Sequence, residues 1–345
     1  MIVNGRFQHA EPGGFRRYAV EVSARLDEAL IVAPRPRFAR GAVGKVWEQT
    51  LLARRARREL LWSPATSGPI RHQRHVVTLH DVAPLIDPEG LSRRARWANR
   101  ALLPTLAKSA SMVVVDSEAM LAEVKQRFLV DPARIVVAEP GIDDRFRVAA
   151  EVERVEARRL LGLGSYGIDV TAPLIGGLVS SIPRKRANDV LATLETAVAA
   201  GAASAVVAGW NGPQRVFGVS DRPTSRFVDD LGRLSDEDLA RFYRALDVFV
   251  WLPRHEGFGL PVVEAAAAGT PVVCSAVPSA VEHLAPDVAI VESVSEAVAA
   301  VGDLLANRDH ANEVAERAQR NVAHLTWDAT AAAVNGAINK LRGTS

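Results

Sequence analysis

The segment from residue 246 to residue 269 constrains the fold of this chain more than any other stretch. Its apolar start, residues 246–252, predicts a buried strand of a parallel sheet. A turn that contains glycine follows, and Pro261 suits the first position of a helix that we expect through residues 262–268, with Gly269 as its end. This succession predicts an α/β domain, and the amide groups at the start of such a helix favour an anion.

Two glutamates flank the turn, Glu256 before it and Glu264 inside the predicted helix. On their own, two acids at this spacing are more typical of a solvated surface turn. The whole string, HEGFGLPVVEAAAAGTPVV, resembles the E-x7-E signature of the retaining glycosyltransferases of family four, which have the GT-B architecture. The resemblance implies two Rossmann-like domains that face each other across a cleft, and a C-terminal helix that crosses back to the first domain.

The same resemblance implies roles for the residues of the turn. Glu264 would hold the ribose hydroxyl groups of a nucleotide sugar, and Glu256 would hold the hydroxyl groups of the donor sugar. The backbone amides of Phe258, Gly259 and Leu260 would bind the sugar and the phosphate. The resemblance also implies a retaining reaction. Since no carboxylate is evident as a nucleophile, we expect the leaving group to depart and the acceptor to attack on the same face.

A basic loop, residues 180–186, follows an apolar stretch at 172–179 that contains a glycine pair and predicts a strand. Backbone amides and fixed cations together suit a diphosphate. The resemblance implies that Arg184 and Lys185 neutralise the charge of the leaving nucleoside diphosphate. The loop is longer than the family pattern, so Arg184, Lys185 and Arg186 all stay open as phosphate contacts. A solvated basic loop is the alternative.

The first half of the chain offers two further site features. Residues 1–7 predict a first strand, and the loop after it contains Gly13 and Gly14, which let a backbone approach a ligand closely. A strand at 76–81 brings His80 to the edge of a sheet where α/β domains bind ligands. The resemblance places the glycine loop over the donor diphosphate and the acceptor, and His80 near the donor sugar. A plain tight turn and a surface histidine are the alternatives.

Strands and helices alternate through the rest of the chain. Further strands are predicted at residues 112–115, 135–138, 205–208, 226–228 and 272–274. The resemblance implies that the loop 228–234 borders the nucleobase, on which Arg233 would stack. The expected division is an N-terminal Rossmann-like acceptor domain at 1–150, a linker at 151–168, a Rossmann-like nucleotide-sugar domain at 169–326 and a C-terminal helix at 327–345 that packs on the first domain.

Length and composition agree with this division. The chain has 345 residues, which is long for one core and suits two α/β domains. No apolar run approaches the roughly 18 residues that cross a bilayer, and the N-terminal residues lack a signal-peptide core. The single cysteine, Cys274, excludes a disulfide within the chain, and we therefore expect a reducing, cytoplasmic setting.

The charge is divided unevenly along the chain. Residues 1–150 carry 24 Lys and Arg against 16 Asp and Glu, whereas residues 151–345 carry 18 against 24. A basic first half predicts an anionic partner. Nucleic acid is disfavoured, because no recognition motif is present.

The segment 35–62 concentrates this positive charge and interleaves it with large apolar residues. These are Trp47, Leu51, Leu52, Leu60, Leu61 and Trp62. The pattern is typical of an amphipathic helix that lies on an anionic membrane, which would make the protein peripheral on the inner face of the membrane. It is equally typical of a solvated helix face with ordinary core contacts. Both interpretations stay open.

Two acidic groups resemble metal sites, Asp143 with Asp144 and the run 236–238. The run lies in the first turn of a predicted helix, where acids complement the helix dipole. The eight histidines show no zinc spacing. We therefore expect no essential metal and no cofactor, because Arg184 and Lys185 would supply the positive charge that stabilises the leaving group.

The resemblance thus implies a hexosyltransferase that uses a nucleotide-diphosphate sugar, with GDP-mannose as the weakly favoured donor. The acceptor would be a glycan or a lipid-linked sugar in the synthesis of surface polysaccharide or glycolipid. A GT-B nucleotide-sugar epimerase and a non-catalytic nucleotide-sugar-binding protein are the alternatives. A NAD-dependent dehydrogenase is disfavoured, because the chain lacks G-x-G-x-x-G.

Overall fold

Two parallel sheets organise the chain, one in each of two units. The computed structural model describes residues 1–11, 13–146, 151–201, 203–209 and 225–343, with the side chains of residues 151 and 152 left aside. The first unit contains Met1–Ile86, Arg93–Gly141 and Leu325–Ser345, and the second contains Asp87–Ser92 and Ile142–His324.

The sheet of the first unit has six parallel strands in the order β2-β1-β3-β4-β5-β6. The strands are Ile2–Asn4 (β1), Leu30–Val32 (β2), Leu61–Ser63 (β3), His75–Leu79 (β4), Met112–Val115 (β5) and Ile135–Val137 (β6). Strands β1, β3, β4 and β5 are buried along their whole length. Their apolar runs therefore suit a sheet with helices on both faces.

The helices of the first unit connect these strands and close both faces. They are Gly14–Ser23 (α1), Gly41–Trp47 (α2), Ala53–Arg55 (α3), Ala83–Ile86 (α4), Arg93–Ser109 (α5), Glu118–Phe128 (α6) and the C-terminal helix Trp327–Arg342 (α13). A π turn, Glu48–Leu52, joins α2 to α3.

The C-terminal helix is part of the first unit, as expected. The side chains of Trp327, Val334 and Ile338 on α13 are buried in one cluster with Tyr18 of α1 and Trp62 of β3. This buried apolar surface holds the last element of the chain against the first sheet.

The second unit repeats the architecture, with strand order β12-β11-β10-β7-β8-β9. The strands are Leu174–Leu178 (β7), Ser204–Ala208 (β8), Asp229–Asp230 (β9), Val248–Trp251 (β10), Val272–Cys274 (β11) and Ala289–Ile290 (β12). The helices are Glu151–Leu160 (α7), Ala187–Ala199 (α8), Asp236–Ala245 (α9), Leu260–Ala267 (α10), Val294–Ala306 (α11) and Arg308–Val322 (α12).

Some expectations about single elements were wrong. Residues 226–228 lie before the short strand β9 and not in a strand. The segment 35–62 is not one helix, because Leu61 and Trp62 belong to the buried strand β3. The division into domains and linker stays a prediction. The expected linker contains α7, which packs on α9, and Arg158 of α7 pairs with Asp247 at 2.8 Å.

Two predicted features lie partly outside the described residues. They are the loop around the first glycine pair, at Pro12, and the expected domain junction, at residues 147–150. Within the described ranges, no helix combines the length and the apolar character that a bilayer crossing needs.

Candidate active site

The candidate site of the second unit lies where the strand order of its sheet reverses. From β7 the chain proceeds outward through β8 and β9, and then returns to add β10 on the other side of β7. Strands β7 and β10 are neighbours, with Ile175 opposite Val248. The loops that follow them therefore meet at the carboxyl edge of the sheet, where open α/β sheets bind ligands. The amide of Arg254 donates a hydrogen bond to the carbonyl of Arg184 at 2.8 Å.

An ion-pair cluster occupies this edge. The Lys185 Nζ donates to Glu256 Oε1, and the Arg184 Nη1 lies 3.3 Å from Glu256 Oε2. The same Arg184 nitrogen donates to the carbonyl of His255 at 2.6 Å. The fold thus brings the neighbouring residues Arg184 and Lys185 to Glu256, which lies 71 positions after Lys185 in the chain.

The third basic residue of the loop is turned to another partner. The guanidinium of Arg186 pairs with Asp189 in the first turn of α8. Arg186 also has a left-handed backbone with φ of 51° and serves as the N-cap residue of α8. Of the three cations that the sequence left open, only Arg184 and Lys185 contact Glu256 among the described residues.

The charge state of Glu256 follows from its surroundings. Burial by itself raises the pKa of the Glu256 carboxyl. The positive charges of Lys185 and Arg184 lower this pKa by more than burial raises it, so that it lies below the ordinary value. Glu256 is therefore ionised at neutral pH. An ionised carboxylate accepts hydrogen bonds from hydroxyl groups but has no proton to donate.

Trp251 is a site residue that sequence reasoning missed. It is the last residue of β10, it is buried, and its ring lies 4.9 Å from Lys185 Nζ. This contact is a cation–π interaction, which favours the charged lysine. The indole nitrogen is buried without a hydrogen-bond partner among the described residues. The only available signal was the position of Trp251 at a strand end.

The turn after Glu256 needs glycine at one position. Gly259 has φ of +109°, a conformation that L side chains rarely adopt. A Cβ atom there would lie 2.8 Å from Ser279 Oγ and 2.9 Å from Val277 Cγ2. The amide of Ser279 donates to the carbonyl of Phe258 at 2.9 Å, which fixes the turn. Leu260 then begins α10, which has no side-chain cap and no acid in its first turn.

Glu264 lies deeper in the second unit than a surface acid would. It is buried in the middle of α10, and it accepts a hydrogen bond from the Tyr243 hydroxyl of α9 at 3.1 Å. Tyr243 is itself fixed by Phe249, whose ring centre lies 5.1 Å away in an edge-to-face arrangement. Tyr243 is thus a second residue that the sequence analysis missed.

Arg233 lies on the loop between β9 and α9, and its side chain is exposed. Its neighbour Gly232 has a left-handed backbone, and the carbonyl of Gly232 accepts a hydrogen bond from the amide of Gly209 at 2.7 Å. The loop is therefore fixed at the carboxyl end of β8. The nucleobase contact of Arg233 stays a prediction.

In the first unit, the helix that begins at the glycine pair packs against His80. Gly13 is the N-cap residue of α1 and Gly14 is its first residue. The ring of Tyr18 on α1 lies 4.8 Å from the ring of His80, and the ring of Phe15 lies 6.5 Å from it. Gly13 is extended, and a Cβ atom there would meet no described atom within 4 Å. Neither its conformation nor its packing against described residues requires a glycine.

Both ring nitrogens of His80 are engaged. Nε2 lies 2.6 Å from the carbonyl of Pro64, which can only accept, and Nδ1 lies 2.8 Å from Asp116 Oδ2. Burial by itself lowers the pKa of His80, but the Asp116 carboxylate raises it above the ordinary value. The ring is therefore held rigidly, in an arrangement that suits binding better than proton transfer. Asp116 was not predicted, although it follows β5, the neighbour of β4.

Comparison with known proteins assigns both halves of the chain. The family model described as Glycosyltransferase Family 4 matches residues 12–146, and the model described as Glycosyl transferases group 1 matches residues 183–321. The chain belongs to family four of the GT-B glycosyltransferases. The second match includes Arg184, Lys185 and Glu256.

Curated relatives of this family-four chain include the O-antigen chain mannosyltransferase B of Escherichia coli, which is 30% identical over 220 residues, or 61% of this chain and 55% of the relative. A D-inositol 3-phosphate glycosyltransferase of Salinispora arenicola is 32% identical over 244 residues, or 64% of this chain and 53% of the relative. The matches thus span about half the length of these relatives.

A solved structure agrees on the fold of the family. The sucrose-phosphate synthase of Thermosynechococcus elongatus aligns with a TM-score of 0.75 over 100% of this chain and 99% of its own. The sequence identity is 17%. This likeness shows the GT-B fold that the sequence analysis expected.

Proposed function

We propose that the chain is a retaining glycosyltransferase that transfers a hexose from a nucleotide-diphosphate sugar to a glycan or a lipid-linked sugar. The observation that carries the proposal is the cluster of Arg184, Lys185 and Glu256 at the switch point of the second sheet. Two fixed cations beside one carboxylate suit a substrate that joins a diphosphate to a polyhydroxyl ring.

The same cluster supports a mechanism. The donor diphosphate replaces Glu256 as the partner of Arg184 and Lys185, and the released carboxylate accepts hydrogen bonds from the donor sugar. The bond between the anomeric carbon and the diphosphate oxygen breaks, and the acceptor oxygen bonds to that carbon on the same face. A diphosphate oxygen takes the acceptor proton, while the two cations stabilise the negative charge on the leaving group.

The remaining residues of the second unit complete the donor site in this proposal. Glu264, oriented by Tyr243, holds the ribose hydroxyl groups, and Arg233 stacks on the nucleobase. The amides of Phe258, Gly259 and Leu260 bind sugar and phosphate at the start of α10, where the helix dipole favours an anion.

The first unit supplies the other contacts. Gly13 and Gly14 let the backbone approach the diphosphate and the acceptor, and the open space around Gly13 supports this role. His80 contacts the donor sugar as a fixed binding group. No metal and no cofactor takes part, because Arg184 and Lys185 supply the positive charge.

GDP-mannose is the first donor to test, since one relative is named as a mannosyltransferase. The acceptor belongs to the synthesis of surface polysaccharide or glycolipid. A lipid-linked acceptor and the basic first half together support a peripheral position on the inner face of the membrane.

The test is a transfer assay with a panel of UDP-, GDP-, dTDP- and ADP-sugars and a lipid-linked sugar acceptor. We expect one donor to release its nucleoside diphosphate only when acceptor is present. The product should keep the anomeric configuration of the donor, as measured by NMR, and EDTA should not change the rate of transfer. Isomerisation of the donor sugar without acceptor would instead identify an epimerase. Tight donor binding without release in any mixture would identify a binding protein.

A further inference from the structure

Three large apolar side chains are exposed along one short helical segment of the first unit. Val43 is 52% exposed, Val46 is 60% exposed and Leu51 is 60% exposed. The inner side of the same segment already has its core contacts, because Trp47 and Leu52 are buried against β1 and β3. The outer apolar residues therefore have no role in the core of this unit.

The π turn aligns these side chains. In an α-helix a residue five positions further on is rotated by about 140°, so Leu51 would not share a side with Val46. In a π turn the hydrogen-bond repeat is i to i+5, and the π turn Glu48–Leu52 begins after Val46 and contains Leu51. Val43, Val46 and Leu51 thus form one outward stripe, which we call the apolar stripe.

Glu48 keeps the turn in place and removes its own charge from the surface. The side chain is buried, and it accepts hydrogen bonds from Asn4 at 2.9 Å, from Ser67 at 2.7 Å and from Arg6 at 3.1 Å. Glu48 is also the only acid between residues 35 and 58. The stripe is therefore free of exposed negative charge from its own segment.

Cations flank the stripe on both sides along the chain. The exposed ones are Arg35, Arg37, Arg40, Arg54, Arg55, Arg57 and Arg58. Arg40 pairs with the exposed Glu11 at 3.2 Å, which neutralises one of them in part. An apolar stripe between clusters of arginine is complementary to a surface that is anionic outside and apolar beneath.

A second element on the same side of the sheet has the same character. The stripe segment packs on Leu61 of β3, and α5 packs in the cluster that contains Val77 of β4. Leu61 and Ser63 are two positions apart on β3, so their side chains point to the same face of the sheet. Val77 is the partner of Ser63 on the neighbouring strand and points to that face as well. Helix α5 exposes Trp97 by 76%. Exposed arginines surround it at 93, 94, 96 and 100.

We propose that the apolar stripe and its flanking arginines form a docking surface for an anionic lipid bilayer. The arginines attract the lipid headgroups, and the stripe inserts below them, with Trp97 as a second anchor at the headgroup level. This surface serves the proposed transferase when the acceptor is lipid-linked, but its affinity for a bilayer depends on these side chains alone.

The test is co-sedimentation of the full chain with vesicles of phosphatidylglycerol and phosphatidylcholine, compared with vesicles of phosphatidylcholine alone. We expect binding that needs the anionic lipid and weakens with salt. The double variant Val46→Asp/Leu51→Asp should bind at least about tenfold more weakly. The double variant Arg54→Glu/Arg55→Glu should lose binding at low salt as well.

A matched control replaces two exposed apolar residues of the second unit with aspartate. Val281 and Leu160 are 55% and 59% exposed, so Val281→Asp/Leu160→Asp should bind vesicles like the wild type. Equal loss in the control, equal binding to both vesicle types, or no binding by the wild type would overturn the docking surface. Concentration-dependent dimers that the stripe variant abolishes would assign the stripe to a second copy of the chain instead.

A nucleoside-diphosphate thermal shift on the same variants separates the two proposals. If the stripe variants keep the shift and no variant or wild type binds vesicles, only the docking surface fails. If vesicle binding is as expected but no nucleoside diphosphate stabilises any of the proteins, only the proposed transferase fails.

Discussion

Glu256 joins two cations that would otherwise repel each other in a largely buried loop. Lys185 and Arg184 each contact a different oxygen of this carboxylate. A donor diphosphate carries the charge that can take over both contacts, so the pairing prepares the site before the donor arrives. Loss of Glu256 removes the counter-charge that both cations share, and loss of either cation removes one of the two contacts of the carboxylate. A lost hydrogen bond to a buried charged group costs about 1–3 kcal/mol or more.

We therefore expect Lys185→Ala and Glu256→Ala each to reduce turnover at least about a hundredfold, the scale of losing one group that stabilises charge in the transition state. The matched control is Arg186→Asn, since Arg186 pairs with Asp189 and asparagine tolerates its left-handed backbone. Steady-state kinetics with the preferred donor measures the effect. Turnover within a few-fold of wild type for both site variants, or an equal loss in the control, would refute the roles assigned here.

Trp251 gives a second prediction at the residue scale. Its ring contacts Lys185, and a cation–π contact of this kind contributes about 0.5–2 kcal/mol. Trp251→Leu should therefore lower kcat by about 2- to 30-fold with little change in the KM for acceptor, whereas Trp251→Phe should keep most of the rate because it keeps a ring. If both variants lose only melting temperature and keep kcat, Trp251 packs the strand and does not position Lys185.

At the scale of elements, the sequence predicted the long or strongly patterned segments well. Strand β5 has the predicted bounds, and strand β8 begins one residue before its predicted start. The missed strands β2 and β12 are three and two residues long. Such strands are defined by their neighbours in the sheet and have no periodic pattern of their own.

The segment 35–62 shows why pattern alone was not enough. Its apolar residues serve two purposes, because Trp47, Leu52 and Trp62 are core residues and Leu51 is exposed. A π turn changes the helical repeat between Trp47 and Ala53, and it cannot be seen in the spacing of apolar residues. The buried side chains make the core contacts of the second interpretation, whereas membrane binding by the exposed ones stays a proposal.

The turn before α10 carries a prediction about stability. Gly259→Ala places a Cβ atom within 3.0 Å of Ser279 and Val277 and strains the backbone, so we expect a loss of about 2–3 kcal/mol in the free energy of unfolding. Gly302→Ala is the control, because Gly302 lies inside α11 and no atom of the described residues comes within 4 Å of the added Cβ. It should gain up to about 1 kcal/mol. Urea unfolding measures both, and equal effects would show that the turn tolerates a side chain.

At the scale of the whole molecule, each unit is a parallel sheet with helices on both faces. Residues of the candidate site lie in the loops that come after the strands. Sequence reasoning found Lys185 and Glu256 separately, through the resemblance to family four. Their contact depends on β7 and β10 being neighbours, and that strand order is a property of the folded sheet. Asp116 and Tyr243 were missed for the same reason, because each contacts a residue that is distant in sequence.

The proposed function depends first on the binding of a nucleoside diphosphate by Arg184 and Lys185 of the second unit. The most direct measurement is a thermal-shift series with UDP, GDP, dTDP, ADP and NAD on the wild type and on Lys185→Ala. We predict that one nucleoside diphosphate stabilises the wild type, by about 2.7 kcal/mol at a hundred times its Kd, and stabilises the variant much less. A shift with NAD alone, or an undiminished shift in Lys185→Ala, would refute diphosphate binding by this pair of cations.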